Sequence, residues 1–287
     1  MTRWRCRLAF FAMIGALLGT DPAQAQQERD ILSIGGTVTE IVVALGQQNR
    51  LKARDTTSRY PPDVTRLPDV GYMRALSPEG VLSVGPSLII SAEGAGPPEA
   101  LDVIRGADVD FVEVPDARDG AGILRKIEVV GDALGVPERA DALEAEVGAA
   151  LAEAIKAADR PEAGKKRVLF ILSTQGGRIN ASGTGTEADA IIRMAGGINA
   201  VTEFEGYRQM TDEAIGLAAP DVVLMMNRGG DHGIADDDLL AMPAVRLTPA
   251  AQTRSIVRMD GLLLLGFGPR TAEAVALLSR AIYGDGP

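Results

Sequence analysis

Two stretches of the chain can be laid over each other: LSPEGVLSVGPSLII, Leu76 to Ile90, and MTDEAIGLAAPDVVL, Met210 to Leu224. Each carries a hydroxyl residue, a glutamate two positions later, a proline seven positions after the glutamate, and then an apolar run. Each reads as a short helix followed by a buried strand. Ser77 and Thr211 are expected N-caps, because a side-chain oxygen there can accept from a free N–H of the first turn. Pro78 suits the first helical position, and Pro86 and Pro220 stop the helices. Leu88-Ile89-Ile90 and Val222-Val223-Leu224 are short apolar runs of the kind that a parallel sheet covered on both faces buries.

A second pair lies upstream of these. GTVTE (Gly36 to Glu40) and GTGTE (Gly183 to Glu187) each contain Thr-x-x-Glu, which predicts a capping box and gives Glu40 and Glu187 a purely local role. The first follows a strand-like run, Ile31 to Ile34. The second follows Val168 to Leu172 after a longer loop. Two βα-rich halves of similar element order are therefore expected. Between them runs PERADALEAEVGAALAEAIKAADRPEAGKK, Pro137 to Lys166. From Glu138 to Ala158 it is rich in helix formers and has no internal proline. Leu143, Val147, Leu151 and Ile155 recur every four residues as one apolar stripe. In the last third, Ser255 to Met259 reads as a strand, Leu262 to Leu265 as a buried strand or helix end, and Pro269 to Tyr283 as the final helix. The expected organisation is an α/β chain with an N-terminal lobe over 26–136, a connecting helix over 137–160 and a C-terminal lobe over 161–287.

The first residues read differently. MTRWRCRLAFFAMIGALLGTDPAQAQ has arginines at 3, 5 and 7, an apolar run too short to span a bilayer, and Ala23-Gln24-Ala25 as a small-x-small cleavage pattern. A signal peptide over 1–25 and a soluble periplasmic product are expected. Cys6 precedes the apolar run, which argues against a lipid-anchored cysteine at the cleavage site. Cleavage removes three arginines and Asp21, so the net charge of −10 becomes more negative. The single Cys and the single Trp also leave. About 260 residues then remain, enough to bury a core without disulfides. The acidic balance argues against nucleic acid as a partner.

Catalytic signatures are weak. There is one histidine, His232, in NRGGDHGIADDD, and a lone His in a Gly/Asp-rich loop more often faces solvent than acts as a base. Neither a Gly-x-Ser-x-Gly elbow nor a P-loop occurs. ADDD, Ala235 to Asp238, is expected to favour a helix start through the helix dipole. A binding protein fits better than an enzyme. Two α/β lobes create a cleft, and ligands of such sheets sit outside the carboxyl ends of the strands. The loops expected there are Gly35 to Thr37, Thr56 to Tyr60, Gly71 to Arg74, Ser91 to Gly96, Ser173 to Ser182, Tyr207, and Asn227 to His232.

GYMRALSPEG (Gly71 to Gly80), with IGGTVTEIVVALG, DTTSRYP and LLLLGFGPR, resembles the haem-carrying periplasmic binding proteins of bacterial haem-uptake ABC transporters. Their wider group also carries cobalamin and ferric siderophores. The resemblance covers nearly the whole chain beyond the signal segment. It implies two Rossmann-like lobes joined by a single long helix, with ferric protoporphyrin IX held between them as cargo. Tyr72 then ligates the iron: ferric iron is a hard acid, phenolate a hard anionic donor, and tyrosine a known axial ligand. Arg74 can donate to the phenolate oxygen and favour its charged form, since a free phenol ionises only near pH 10. A His from the second lobe, used by some relatives, is missing from STQGGRINASG; the alternatives are His232 as sixth ligand and five-coordinate iron with Tyr72 alone, of which the second is the expectation. Tyr207 reads either as a cleft residue or as packing at the lobe edge. Arg228, Arg178 and Arg59 are candidate propionate partners or solvent-facing cations. Glu79 and Glu213 hold matching places in the two halves. The resemblance makes them docking points on a permease dimer that works with its ATPase, and it implies haem handed over from an outer-membrane receptor. Rival readings are the same fold carrying a siderophore or cobalamin, a secreted α/β hydrolase, and a haem-sensing adaptor.

Overall fold

The computed structural model describes residues 30–116, 118–227 and 234–284. The expected signal segment, Arg228 and His232 lie outside the described residues. The N-terminal half comprises β1 (Ile31–Ile34), α1 (Gly36–Ala44), β2 (Leu51–Arg54), α2 (Pro78–Ser83), β3 (Leu88–Ala92), α3 (Pro98–Arg105), β4 (Asp110–Val114) and α4 (Gly120–Leu134). After it comes the long helix α5 (Pro137–Ala158). The C-terminal half comprises β5 (Arg167–Ser173), β6 (Ile179–Ser182), α6 (Glu187–Met194), β7 (Ile198–Asn199), β8 (Tyr207–Met210), α7 (Asp212–Ala218), β9 (Val222–Asn227), α8 (Asp236–Ala241), α9 (Pro249–Thr253), β10 (Ile256–Asp260), α10 (Gly261–Leu265) and α11 (Thr271–Tyr283).

The repeated stretch folds as its sequence predicts. Ser77 accepts from the Gly80 N–H at the start of α2, and Thr211 accepts from the Ala214 N–H at the start of α7. Each helix ends just before its proline and leads into a buried strand. The acidic run Asp236-Asp237-Asp238 occupies the first turn of α8.

The two sheets differ more than the matching segments suggest. In the N-terminal lobe all four strands are parallel, in the order β2-β1-β3-β4. In the C-terminal lobe the order is β10-β9-β5-β6-β8, with β7 also on β5. There β5 pairs antiparallel with β6, and β6 antiparallel with β8. The stretch Ser173 to Ser182 is thus a hairpin rather than an open loop. It turns at Gly176 and Gly177, both at positive φ, and Tyr207 lies on the strand beside it, opposite Ser182.

Both sheets are buried on two faces, so neighbouring residues of one strand serve different cores. Val168 and Phe170 of β5 belong to one apolar cluster, and Leu169 and Ile171 to another. The largest cluster crosses between the lobes. It runs from Ile31 and Ile41 through Ile127 of α4, Val147 and Leu151 of α5, to Ile191 of α6 and Leu278 of α11. The α5 stripe is therefore embedded in packing shared by both halves. Among the described residues no helix is long and apolar enough to cross a membrane.

A core shared in this way should melt as one unit. Leu151→Ala is expected to cost about 2–5 kcal/mol and to lower the midpoint of a single calorimetric transition. Resolution of that scan into two separate transitions would contradict a common core.

Candidate functional site

The site is built at the carboxyl ends of the N-terminal strands. Asp55 follows β2 and is completely buried. Its carboxylate accepts from the Gly35 N–H at 2.9 Å, the Thr57 N–H at 2.9 Å, the Thr57 hydroxyl at 2.7 Å and the Ser58 hydroxyl at 2.7 Å. The Ser58 oxygen lies 2.6 Å from that of Thr39, which lies 2.7 Å from that of Ser33. The Gly36 N–H donates to Thr57 Oγ1 at 2.9 Å. A buried carboxylate must be satisfied by donors. Here the loop after β2 and the loop after β1 supply them, so the two loops are fixed to each other.

Asp69 organises the next turn. Arg54 donates to one of its oxygens at 3.0 Å. The other oxygen accepts from the Thr56 hydroxyl at 3.1 Å and the Gly71 N–H at 2.9 Å. The Thr56 N–H in turn donates to the Gly71 carbonyl at 2.9 Å. Gly71 has φ +100°, a conformation that a side chain would strain. On the far side, the Gly96 N–H donates to the Met73 carbonyl at 2.9 Å and the Leu76 N–H to the Gly96 carbonyl at 2.8 Å. Met73 and Leu76 pack into the N-terminal apolar cluster. Tyr72 between these anchors is left 47% exposed. Arg74 is exposed and makes no ion pair among the described residues.

The lobes meet around the first turn of α1. The Thr37 hydroxyl and the Lys126 ammonium both donate to the Gly266 carbonyl, at 2.8 and 3.1 Å. Arg270, entering α11, forms a two-point pair with Glu40 of α1, its Nε 3.1 Å from Oε2. Its guanidinium carbon also lies 3.6 Å from the centroid of the Tyr60 ring. Arg118 donates to the Gly185 carbonyl at 2.6 Å and approaches Glu187 at 3.5 Å.

The capping boxes expected for Glu40 and Glu187 do not form. The N-cap of α1 is Gly35, without a side-chain bond, and that of α6 is Thr186, which accepts from the Asp189 N–H. Both glutamates instead face the other lobe. Burial raises the Glu40 pKa above its ordinary value, with Arg270 acting in the opposite direction. Burial likewise raises Glu187, reinforced by Asp116, and lowers Lys126, against the pull of Asp116.

The remaining expected site residues are dispersed. Tyr207 is half-buried, edge-on to Phe170 at 6.3 Å between centroids. Burial, and then the Glu187 charge, push its pKa up to about 12, with Thr186 acting in the opposite direction. That environment favours the neutral phenol, and its neighbour Glu187 approaches Arg118 of the other lobe. Arg59 and Arg178 are exposed; Arg178 reaches Gln209 at 3.5 Å. Glu79 and Glu213 are exposed in the first turns of α2 and α7. Asp55 and Tyr60 entered the sequence reading only as members of the DTTSRYP motif and, for Tyr60, of the expected cleft loop Thr56 to Tyr60, and the pairing of Glu40 with Arg270 was not foreseen. Only Asp55 carried a local signal, since Asp followed by Thr-Thr-Ser favours side-chain to backbone bonding. No cluster of His, Cys, Asp or Glu suited to a metal ion exists among the described residues.

Comparison with known proteins gives a consistent picture. The family model described as periplasmic binding protein matches residues 31–262. The structure of the periplasmic heme-binding protein BhuT in complex with two hemes is 39% identical, covers 88% of this chain and 97% of its own, and superposes with a TM-score of 0.84. The periplasmic heme-binding protein RhuT from Roseiflexus sp. RS-1, in its apo form, is 37% identical over 89% of this chain and 98% of its own, with a TM-score of 0.85. A more distant relative is the uncharacterized ABC transporter substrate-binding lipoprotein YvrC of Bacillus subtilis (strain 168). It is 25% identical over 91% of this chain and 82% of its own length.

The Glu40 carboxyl gives a pH test. Its folded-state pKa lies above the ordinary value of 4.5. Between those two values the folded protein holds a proton that the unfolded chain releases. This contribution to stability is complete below the unfolded pKa and is lost as pH rises through the folded one. Glu40→Gln should flatten the stability profile across that window in urea melts taken from pH 4 upwards. A variant profile parallel to the wild type would show that Glu40 does not titrate differently on folding.

Proposed function

Because the chain belongs to the family of periplasmic binding proteins, we propose that it captures haem in the periplasm and delivers it to an inner-membrane ABC importer. The observation that carries this reading is the exposed Tyr72 on a turn anchored at both ends. Ferric haem needs an axial donor held at a fixed place, and a phenolate oxygen supplies the negative charge that ferric iron prefers. Iron lowers the proton affinity of the phenol by direct bonding. In this reading Arg74, two residues further, exposed and without an ion pair among the described residues, donates to the phenolate and stabilises it. Similarity to heme-binding proteins at 39% and 37% identity over almost the whole fold supports the choice of cargo.

The partner follows from the family and from two exposed acids. Glu79 and Glu213 sit at equivalent helix starts, one per half. A pair of carboxylates so arranged suits a dimeric permease that presents one basic pocket per subunit. The ATPase belongs to the transporter, and an outer-membrane receptor is the source of haem in this scheme.

Titration of the secreted protein with ferric haem, followed by absorption and electron paramagnetic resonance, tests the cargo. The wild type should give a phenolate-to-iron charge-transfer band that Tyr72→Phe abolishes. Arg74→Ala should retain the band and weaken binding by about 10–100-fold. Preference for a ferric siderophore or cobalamin over haem would sink the reading.

Docking is tested separately. Glu79→Ala and Glu213→Ala should each raise the concentration needed to stimulate the reconstituted importer's ATPase, with haem binding intact. Unchanged stimulation by the double variant would remove both residues from the interface.

A further inference from the structure

Tyr60 combines three features that no other tyrosine of the chain shares. It lies on the loop after β2, at the carboxyl end of a parallel strand. That loop is hydrogen-bonded to the Tyr72 turn through the Thr56 N–H and the Gly71 carbonyl, 2.9 Å apart. Its ring also meets the other lobe, because Arg270 is stacked 3.6 Å above the ring centroid. Even so, the side chain remains 42% exposed.

A guanidinium at that distance over the centroid occupies one face of the ring. The exposed area therefore belongs to the opposite face and the edge. Arg270 is itself held by Glu40, which is only 7% exposed, so the stack is backed by a buried ion pair. A large aromatic surface that is rigidly supported from behind and open in front, at the junction of two lobes, suits a flat apolar ligand. Its order is already set on folding, which lowers the entropy lost on binding. Tyr207, by contrast, is only partly exposed and lies edge-on to Phe170.

We propose that Tyr60 is a stacking wall of the binding cleft, contacting the porphyrin plane itself and recognising a flat tetrapyrrole independently of its metal. This inference rests on the haem reading but gives the two tyrosines different roles, with Tyr72 addressing the iron and Tyr60 the macrocycle.

Metal-free protoporphyrin IX separates the two roles, since it offers no iron to Tyr72. Its binding to the secreted protein can be read by fluorescence. Tyr60→Ala should weaken it about tenfold, the effect of losing one aromatic stacking partner. Tyr60→Phe should bind like the wild type. Should the alanine variant prove unfolded in its thermal melt, Tyr60→Leu keeps the apolar bulk while removing the flat ring, and should show the same loss. Wild-type porphyrin affinity in folded Tyr60→Ala or Tyr60→Leu overturns this inference and leaves the haem reading standing. A wild-type protein that binds neither ferric haem nor the free porphyrin overturns both.

Discussion

The first turn of α1 packs closely against α10 and the segment that follows it, with glycine on one side set against a side chain on the other. A Cβ on Gly36 would meet Leu262 and the Thr57 carbonyl at 2.7 Å, and one on Gly268 would meet Thr37 at 2.8 Å. This closeness brings the Gly266 carbonyl within reach of two donors from the other lobe. It also places Arg270 against Glu40. A buried ion pair adds little net stability, since desolvating two charges offsets most of their attraction. Removing one member is costly, however, because the other is left uncompensated. The pair therefore acts mainly on geometry, disfavouring arrangements of the lobes that separate the two charges.

Beside the junction, two aspartates convert flexible sequence into fixed turns. Asp55 and Asp69 each gather donors from separate segments, and most of their oxygen valences are filled by nearby backbone N–H and hydroxyl groups. The Tyr72 turn is consequently ordered before any ligand arrives. Tyr72 and Tyr207 illustrate how much the surroundings matter. Both follow a glycine, yet one stands exposed on a turn and the other is half-buried on a strand, where burial raises its pKa.

The two halves share a module more than a fold. The helix and strand carrying Glu79 and those carrying Glu213 match in cap, proline and burial. Elsewhere the symmetry fails, because the C-terminal sheet adds an antiparallel hairpin and β8. Even within the module, the exposed Ser83 has Leu217 as its counterpart, also exposed. A permease contacting both lobes would meet two like acids set in unlike surroundings.

Elements whose cause is local were readable from the chain alone. Ser77, Thr211, Pro86 and Pro220 act within a few residues of themselves, and the α5 stripe repeats with the helix, so caps, ends and faces follow from spacing. The Tyr72 turn was visible through its motif. Glu40 was misread for the same reason: Thr-x-x-Glu has the spacing of a capping box, and spacing carries no information about Arg270, distant in the chain. Only the tertiary structure decides which carboxylate is buried, which tyrosine keeps an open face and which loops are tied together. Those outcomes depend on desolvation and on contacts between segments far apart in sequence, which a local pattern cannot encode.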